Sequence, residues 1–164
     1  MVYRCKYDEY WTMEYVSDGC LNLTGYKPDE FIDNAVIDFN SIIEEDFREI
    51  LRGKWKLAME QASIFEQEYP LIAKDGSKRW VLERGQIIYT EDGKINALEG
   101  IITDITSLKT SEEKAREYHE KLYATLISVG DGVITTDKEG KIELINPVTQ
   151  NITGWNQEEA FGED

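Results

Sequence analysis

The stretch that decides the fold runs from residue 64 to residue 106 and has the sequence IFEQEYPLIAKDGSKRWVLERGQIIYTEDGKINALEGIITDIT. Two Asp-Gly pairs, Asp75-Gly76 and Asp92-Gly93, each separate runs that are rich in β-branched and aromatic residues. Asp-Gly is a favoured pair for a tight hairpin turn. The stretch therefore predicts an antiparallel meander of three strands, Ile64–Ile72, Arg79–Tyr89 and Ile95–Thr103.

The residues before the meander add a hairpin and a long helix. Glu44 to Ala62 carries apolar residues at intervals of three and four, which is the spacing of one helix face. Gly53 lies inside this helix and costs it roughly 1 kcal/mol against Ala. Val2 to Lys6 and Trp11 to Val16 flank a polar turn and predict a hairpin. Five strands and several helices within residues 1–106 predict an α+β domain.

One sequence unit occurs twice in the chain. Met13 aligns with Ile142 and Glu30 with Glu159, both 129 positions later, so the segment repeats without a gap. The identical residues are Glu14, Asn22, Thr24, Gly25 and Glu30, which recur as Glu143, Asn151, Thr153, Gly154 and Glu159. A second hairpin is predicted around Asp137-Lys138-Glu139-Gly140. The chain is thus predicted to hold one complete domain over 1–106 and the N-terminal part of a second copy over 130–164.

The segment 107–129 predicts a helix that connects the two copies. Leu108, Ala115, Leu122 and Val129 are seven residues apart, a spacing that suits a short coiled coil. Tyr118 and Thr125 stand at the intervening d-like positions, and Ser111, which falls in that second register, weakens the apolar seam. A connector that packs on its own domain is the alternative, and the sequence leaves both open.

The order of these elements resembles the PAS family. The residues that carry the resemblance are Glu14-Tyr15-Val16-Ser17, Leu23-Thr24-Gly25-Tyr26, Trp80 on the middle meander strand, and Gly100 to Thr106. Residues 137–147 with Ile152-Thr153-Gly154-Trp155 match the opening of the family more closely still. The resemblance implies a five-stranded antiparallel sheet with flanking helices around a small cavity, followed by the connecting helix and a partial second PAS unit.

The resemblance also implies a function. Members usually stand in series in larger signalling chains, ahead of histidine kinase or cyclic-dinucleotide output domains. We therefore expect a sensory module of a multidomain prokaryotic signal-transduction protein, of the histidine kinase or diguanylate cyclase type. Asp104, Ile105 and Thr106 would relay a change at the sheet into the outgoing helix. The alternative is a ligand-free dimerisation scaffold.

An aromatic interior is the candidate ligand pocket. The pocket candidates, with Arg84 or Gln86 as the polar contact, are Phe31, Phe39, Phe47, Trp55, Phe65, Tyr69, Trp80, Arg84 and Gln86. A filled core without room for a ligand is the alternative. A homodimer through the sheet face or the connecting helix is also expected, as is a small-molecule ligand of unknown identity.

Composition and the scarce reactive side chains exclude several classes of function. The net charge of −15 argues against nucleic acid and against an anionic membrane surface. Haem with an axial His is not expected because the one histidine, His119, lies on the connecting helix. Cys20 lacks the motif of flavin domains that form a thiol adduct. We expect no metal site, no catalytic residues and a cytoplasmic location.

Overall fold

The computed structural model describes residues 1–128 and 130–163 and divides the chain into two units. The first unit is Met1–Lys109 and the second begins at Thr110. Val129, the last position of the predicted heptad series, lies outside the described residues. No helix within the described ranges is both long enough and apolar enough to cross a membrane.

The first unit contains five strands and four helices before the helix that leaves it. In chain order they are β1 Val2–Cys5, β2 Met13–Val16, α1 Gly19–Thr24, α2 Pro28–Phe31, α3 Phe39–Ile42, α4 Glu45–Gln61, β3 Phe65–Ile72, β4 Lys78–Tyr89 and β5 Ile95–Asp104. Helix α5 follows as Thr106–Ser128. The predicted meander and long helix are confirmed to within one residue at each end.

The five strands form one antiparallel sheet in the order β2-β1-β5-β4-β3. The N-terminal strand β1 pairs with both β2 and β5, so it lies inside the sheet although it opens the chain. The predicted α+β fold with a five-stranded antiparallel sheet is confirmed.

The first hairpin has a wider connection than its sequence suggests. The Asp8 carboxylate accepts hydrogen bonds from the amides of Tyr10 at 3.1 Å and Thr12 at 3.0 Å, which stabilises a loop over residues 6–12. Trp11 adopts a left-handed backbone with φ of 53°, so it cannot belong to a regular strand. Strand β2 therefore begins at Met13 and not at Trp11.

Helix α4 covers one face of the sheet through its apolar side. Leu51, Trp55 and Ala58 are buried at the predicted spacing of four and three residues. The Trp55 ring stacks on Phe65 of β3, with 4.1 Å between ring centroids and an interplanar angle of 3°. This contact fixes the distance between the helix and the sheet edge.

Two glycines that lie in register beneath α4 shape the sheet surface. Tyr3, Gly100, Gly85 and Phe65 lie side by side on β1, β5, β4 and β3. A Cβ atom at Gly100 would lie 2.9 Å from the Tyr3 ring, and one at Gly85 would lie 2.8 Å from the Tyr3 hydroxyl and 2.7 Å from Trp55. The two glycines therefore leave the space through which the Tyr3 side chain crosses β5.

The second unit repeats the opening elements of the first. After most of α5 it contains β6 Ile134–Thr136, β7 Ile142–Ile145, α6 Pro147–Thr153 and α7 Gln157–Ala160. Thr24 and Thr153 each donate a hydroxyl bond to the carbonyl four residues earlier, at 2.9 and 2.8 Å. The glycines that follow have φ of 78° and 79°. The repeat seen in the sequence is thus also a repeat of local geometry.

Adding a methyl group at Gly100 is expected to destabilise the first unit. Gly100→Ala should lower the free energy of unfolding by about 2–3 kcal/mol, because the new Cβ collides with Tyr3 and with main chain. Gly53→Ala is the matched control, since beyond its own helix backbone no atom of the described residues lies within 4 Å of its Cβ position. It should raise that free energy by roughly 0.5–1 kcal/mol. Urea denaturation measures both, and a Gly100→Ala protein as stable as the wild type would contradict this account.

Candidate functional site

The candidate site is a small cavity enclosed between the sheet and α4. Its volume is about 10 Å³, which is at the limit for one water molecule. Phe39 and Trp55, two of the predicted pocket residues, lie in its wall. Trp11 also lines it, and the buried indole N–H of Trp11 has no acceptor among the described residues.

Three more of the predicted residues are buried in the core that surrounds this cavity. Phe31 packs against Phe39, with 6.1 Å between ring centroids. Phe65 supports Trp55 by stacking, as described above. Tyr69 is completely buried. The structure thus brings together the cavity residues Phe39 and Trp55 with this supporting layer.

The remaining predicted residues lie elsewhere. Phe47 and Trp80 are half-buried and pack edge to face, with 5.9 Å between centroids, outside the cavity wall. Arg84 is exposed and pairs with Glu66 at 2.7 Å, and Gln86 is exposed beside it. Side chains alternate between the faces of a strand, so Arg84 and Gln86 point away from the interior. Their assignment as the polar contact of the pocket is therefore corrected.

The polar group inside the cavity is Glu83, which the sequence prediction missed. Glu83 is 6% exposed and lines the cavity. Its carboxylate accepts one hydrogen bond from the Tyr3 hydroxyl and a second from the Tyr69 hydroxyl, the latter at 2.6 Å. Tyr3 lies on β1, Glu83 on β4 and Tyr69 on β3, so the carboxylate links strands across the sheet. We refer to Tyr3, Glu83 and Tyr69 as the carboxylate cluster.

Burial dominates the electrostatics of the carboxylate cluster. Loss of water around Glu83 raises its pKa from 4.5 to about 7, although the hydrogen bonds from Tyr3 and Tyr69 act in the opposite direction. Burial, followed by the nearby Glu83 charge, raises the pKa of both tyrosines and of the neighbouring Cys5 thiol well above their usual values. Glu83 is therefore the group of this set that can change its charge near neutral pH.

A signal for Glu83 was present in the sequence. Val81, Glu83 and Gly85 alternate along β4, and all three face the interior. A carboxylate on the apolar side of a strand is costly unless it is hydrogen-bonded. Such a residue marks a candidate site, but it is recognisable only once the inward face of β4 has been chosen correctly.

The predicted relay residues form a tight corner between β5 and α5. The Thr106 amide donates to the Asp104 carboxylate at 2.8 Å. The Ile105 amide donates to the Trp80 carbonyl at 2.9 Å, and the Trp80 amide donates to the Thr106 hydroxyl at 3.0 Å. Partial burial opposes ionisation of Asp104, but the bonds from Thr106 and the charge of Arg79 lower its pKa overall. The corner is thus fastened to the start of β4.

Other candidate chemistry is sparse. Within residues 1–128 and 130–163 no group of three or more His, Cys, Asp or Glu side chains could hold a metal ion. His119 is exposed on α5. Cys20 is buried in α1 and donates its thiol hydrogen to the Tyr26 carbonyl at 3.3 Å.

Known proteins resemble this chain in sequence. The family model described as PAS fold matches residues 13–102. A probable diguanylate cyclase, DgcE of Escherichia coli strain K12, is 33% identical over 105 residues, which are 64% of this chain and 9% of that protein. The sensor protein FixL of Bradyrhizobium diazoefficiens is 28% identical over 155 residues, 94% of this chain and 30% of that protein. The chain thus spans less than a third of either relative.

Solved structures resemble it in fold. A sensory box histidine kinase/response regulator from Burkholderia thailandensis superposes with a TM-score of 0.60 at 24% identity, covering 75% of this chain and 89% of that one. A PAS domain from Colwellia psychrerythraea gives 0.57 at 21% identity, covering 65% and 86%. The matched family model covers more than half of the chain, and the five-stranded antiparallel sheet with its flanking helices is the arrangement of a PAS fold. The chain belongs to the PAS fold family.

Proposed function

We propose that the first unit is the sensor domain, that it detects a small ligand or a partner through its core, and that α5 relays the response. The unit boundaries proposed are 1–106 for the sensor, 107–129 for the connecting helix and 130–164 for the start of a second PAS-like unit. Similarity to a diguanylate cyclase and to a sensor protein supports placing this module in a larger signalling chain of that kind. The output domain would then lie in that larger chain.

The observation that carries the proposal is that one strand serves both the core and the corner. Glu83 lines the cavity on β4, and Trp80, three residues earlier on the same strand, holds Ile105 and Thr106 by hydrogen bonds. A strand is stiff along its length, because neighbouring strands fix its backbone by paired hydrogen bonds. A displacement of β4 at the cavity therefore reaches the first turn of α5.

A second set of contacts fastens α5 to the same region. The Lys109 ammonium forms an ion pair with Glu68 of β3 at 2.6 Å and lies 5.7 Å from the centre of the Trp80 ring. Together with the corner, these contacts connect the first turn of the helix to β3 and β4. The helix start is thus positioned by the two strands that bear Glu83 and Tyr69.

The cavity wall offers a small ligand both kinds of hydrogen-bonding group. Glu83 supplies acceptor oxygens, and Trp11 supplies an indole N–H that has no acceptor in the described part of the chain. The present volume of about 10 Å³ means that a ligand larger than water requires the wall to move. Such a movement is itself a signal, because Trp55 of α4 and Glu83 of β4 both belong to that wall.

The scaffold alternative is favoured by the solvent face of the sheet. Val2, Tyr15, Ile64 and Ile101 are all exposed around one open depression there. An apolar surface of this kind suits a symmetric pairing of two copies. Native mass spectrometry over a range of concentrations separates the two functions: a copurifying small molecule supports sensing, and a stable empty dimer supports a scaffold.

Asp104→Ala tests the relay in the full-length signalling protein. The change removes the carboxylate that accepts from the Thr106 amide, so it should cost about 1 kcal/mol of stability, as the loss of a helix cap does. Signalling output should change while the sensor stays folded, as judged by circular dichroism. Asp92→Ala is the control, since Asp92 lies in the distant β4–β5 turn and binds Thr90 and Lys94. Equal output from the wild type and Asp104→Ala, with both folded, would refute the relay.

A further inference from the structure

We propose that the carboxylate cluster is a proton-responsive switch, in which uptake of one proton by Glu83 reverses or breaks one of the two hydrogen bonds that bridge β1 and β3. The ligand of this site is a proton from solvent, so the proposal makes the sensory function more specific. The step from Glu83 to α5 rests on the relay proposed above. The proposal stands on three features: burial of a carboxylate, its two hydroxyl donors, and the cavity beside it.

The geometry makes the cluster sensitive to protonation. An ionised carboxylate is an acceptor only, so it can accept from the Tyr3 and Tyr69 hydroxyls at once. When one oxygen gains a proton it becomes a donor, and the tyrosine that faced it must accept instead of donating. That tyrosine hydroxyl hydrogen then needs a different acceptor. One of the two cross-strand bonds is therefore reversed or lost for every proton taken up, and the proton remains on the carboxyl oxygen.

Few other groups that titrate face Glu83. β1 contributes Tyr3 and Cys5, and β3 contributes Tyr69. Within the described part of the chain, α4, β5, β2, α3 and the β1–β2 connection add no titratable side chain to the cavity wall. Burial raises the pKa of each of those three, so they keep their protons while Glu83 titrates. Among the described residues that line the cavity there is no cation that would keep the carboxylate ionised.

The Tyr3–Glu83 hydrogen bond spans three strands. Tyr3 reaches Glu83 by passing over β5, through the space that Gly100 and Gly85 leave open. Where protonation falls on the oxygen that faces Tyr3, weakening of this bond loosens the link of β1 to β4, whereas the backbone pairing of β5 with either strand is a separate set of bonds. Because Trp80 lies on the same strand as Glu83, the corner at Thr106 senses the change.

The sign of the pH dependence follows from the folded and unfolded states. The pKa of Glu83 is raised from 4.5 to about 7 by burial, so its contribution to stability is fully present below about pH 4.5 and is lost as the pH rises through about 7. The ratio of the unfolding constants of wild type and Glu83→Gln should therefore rise by roughly two orders of magnitude between pH 4 and pH 8. Glu66→Gln, an exposed carboxylate on β3, is the control and should show no such rise.

Carbon NMR on the 164-residue chain, labelled at glutamate side-chain carboxyls, tests the switch directly. The signal that disappears in Glu83→Gln should titrate with a midpoint near pH 7. Tyr3→Phe and Tyr69→Phe should each raise that midpoint, because each removes a hydroxyl that stabilises the ionised form. Glu66→Gln should leave it unchanged. A Glu83 midpoint below about 5.5, or one that neither tyrosine variant moves, would overturn the proposal.

The amide signals of Trp80 and Thr106 separate this proposal from the relay. If they shift with the Glu83 midpoint, both are supported. If the carboxyl titrates near neutrality and responds to the tyrosine variants while these amides stay still, the proton switch stands and the relay fails. If the carboxyl titrates as an exposed glutamate while Asp104→Ala still alters output, the switch alone fails.

Discussion

The core of the sensor unit is organised around one buried group, the Glu83 carboxylate, which accepts hydrogen bonds from two tyrosine hydroxyls. A carboxylate in an apolar core is unfavourable by several kcal/mol unless donors satisfy it. Tyr3 and Tyr69 supply those donors from opposite sides of β4. Because the donors come from β1 and β3, satisfying the charge requires the sheet order to be correct. The polar cluster therefore favours this strand order over orders that would leave the carboxylate without its donors.

Neighbouring core residues leave the space that the Tyr3 side chain needs to reach Glu83. Gly100 and Gly85 lie in register so that the Tyr3 ring can cross the sheet, and Trp55 of α4 closes the space above Gly85. Phe65 completes the row and stacks on Trp55. Strand β4 carries Glu83, which lines the cavity, and Trp80, which is hydrogen-bonded to the corner between β5 and α5. One strand thus connects the interior to the helix that leaves the unit.

The sequence predicted the strands, the long helix and the corner well, because their signals are local. Each of these elements is determined by residues close to it in the sequence. The examples are the Asp-Gly turns, the apolar spacing of α4 and the triplet Asp104-Ile105-Thr106. The inward face of β4 was assigned wrongly, since Arg84 and Gln86 were placed in the interior and Glu83 was not. That face is fixed by Tyr3 and Trp55, which are far from β4 in the sequence, and one position of shift exchanges the two faces.

A double-mutant cycle between Tyr3→Phe and Glu83→Gln, measured by urea denaturation at pH 8, tests this account most directly. A hydrogen bond to a buried charge contributes about 1.5–3 kcal/mol, so the two changes should be coupled by more than about 1 kcal/mol. The pair Tyr15→Phe and Glu83→Gln serves as reference, because Tyr15 is exposed on β2. Effects of Tyr3→Phe and Glu83→Gln that add to within about 0.5 kcal/mol would contradict the claim that this cross-sheet bond organises the sensor unit.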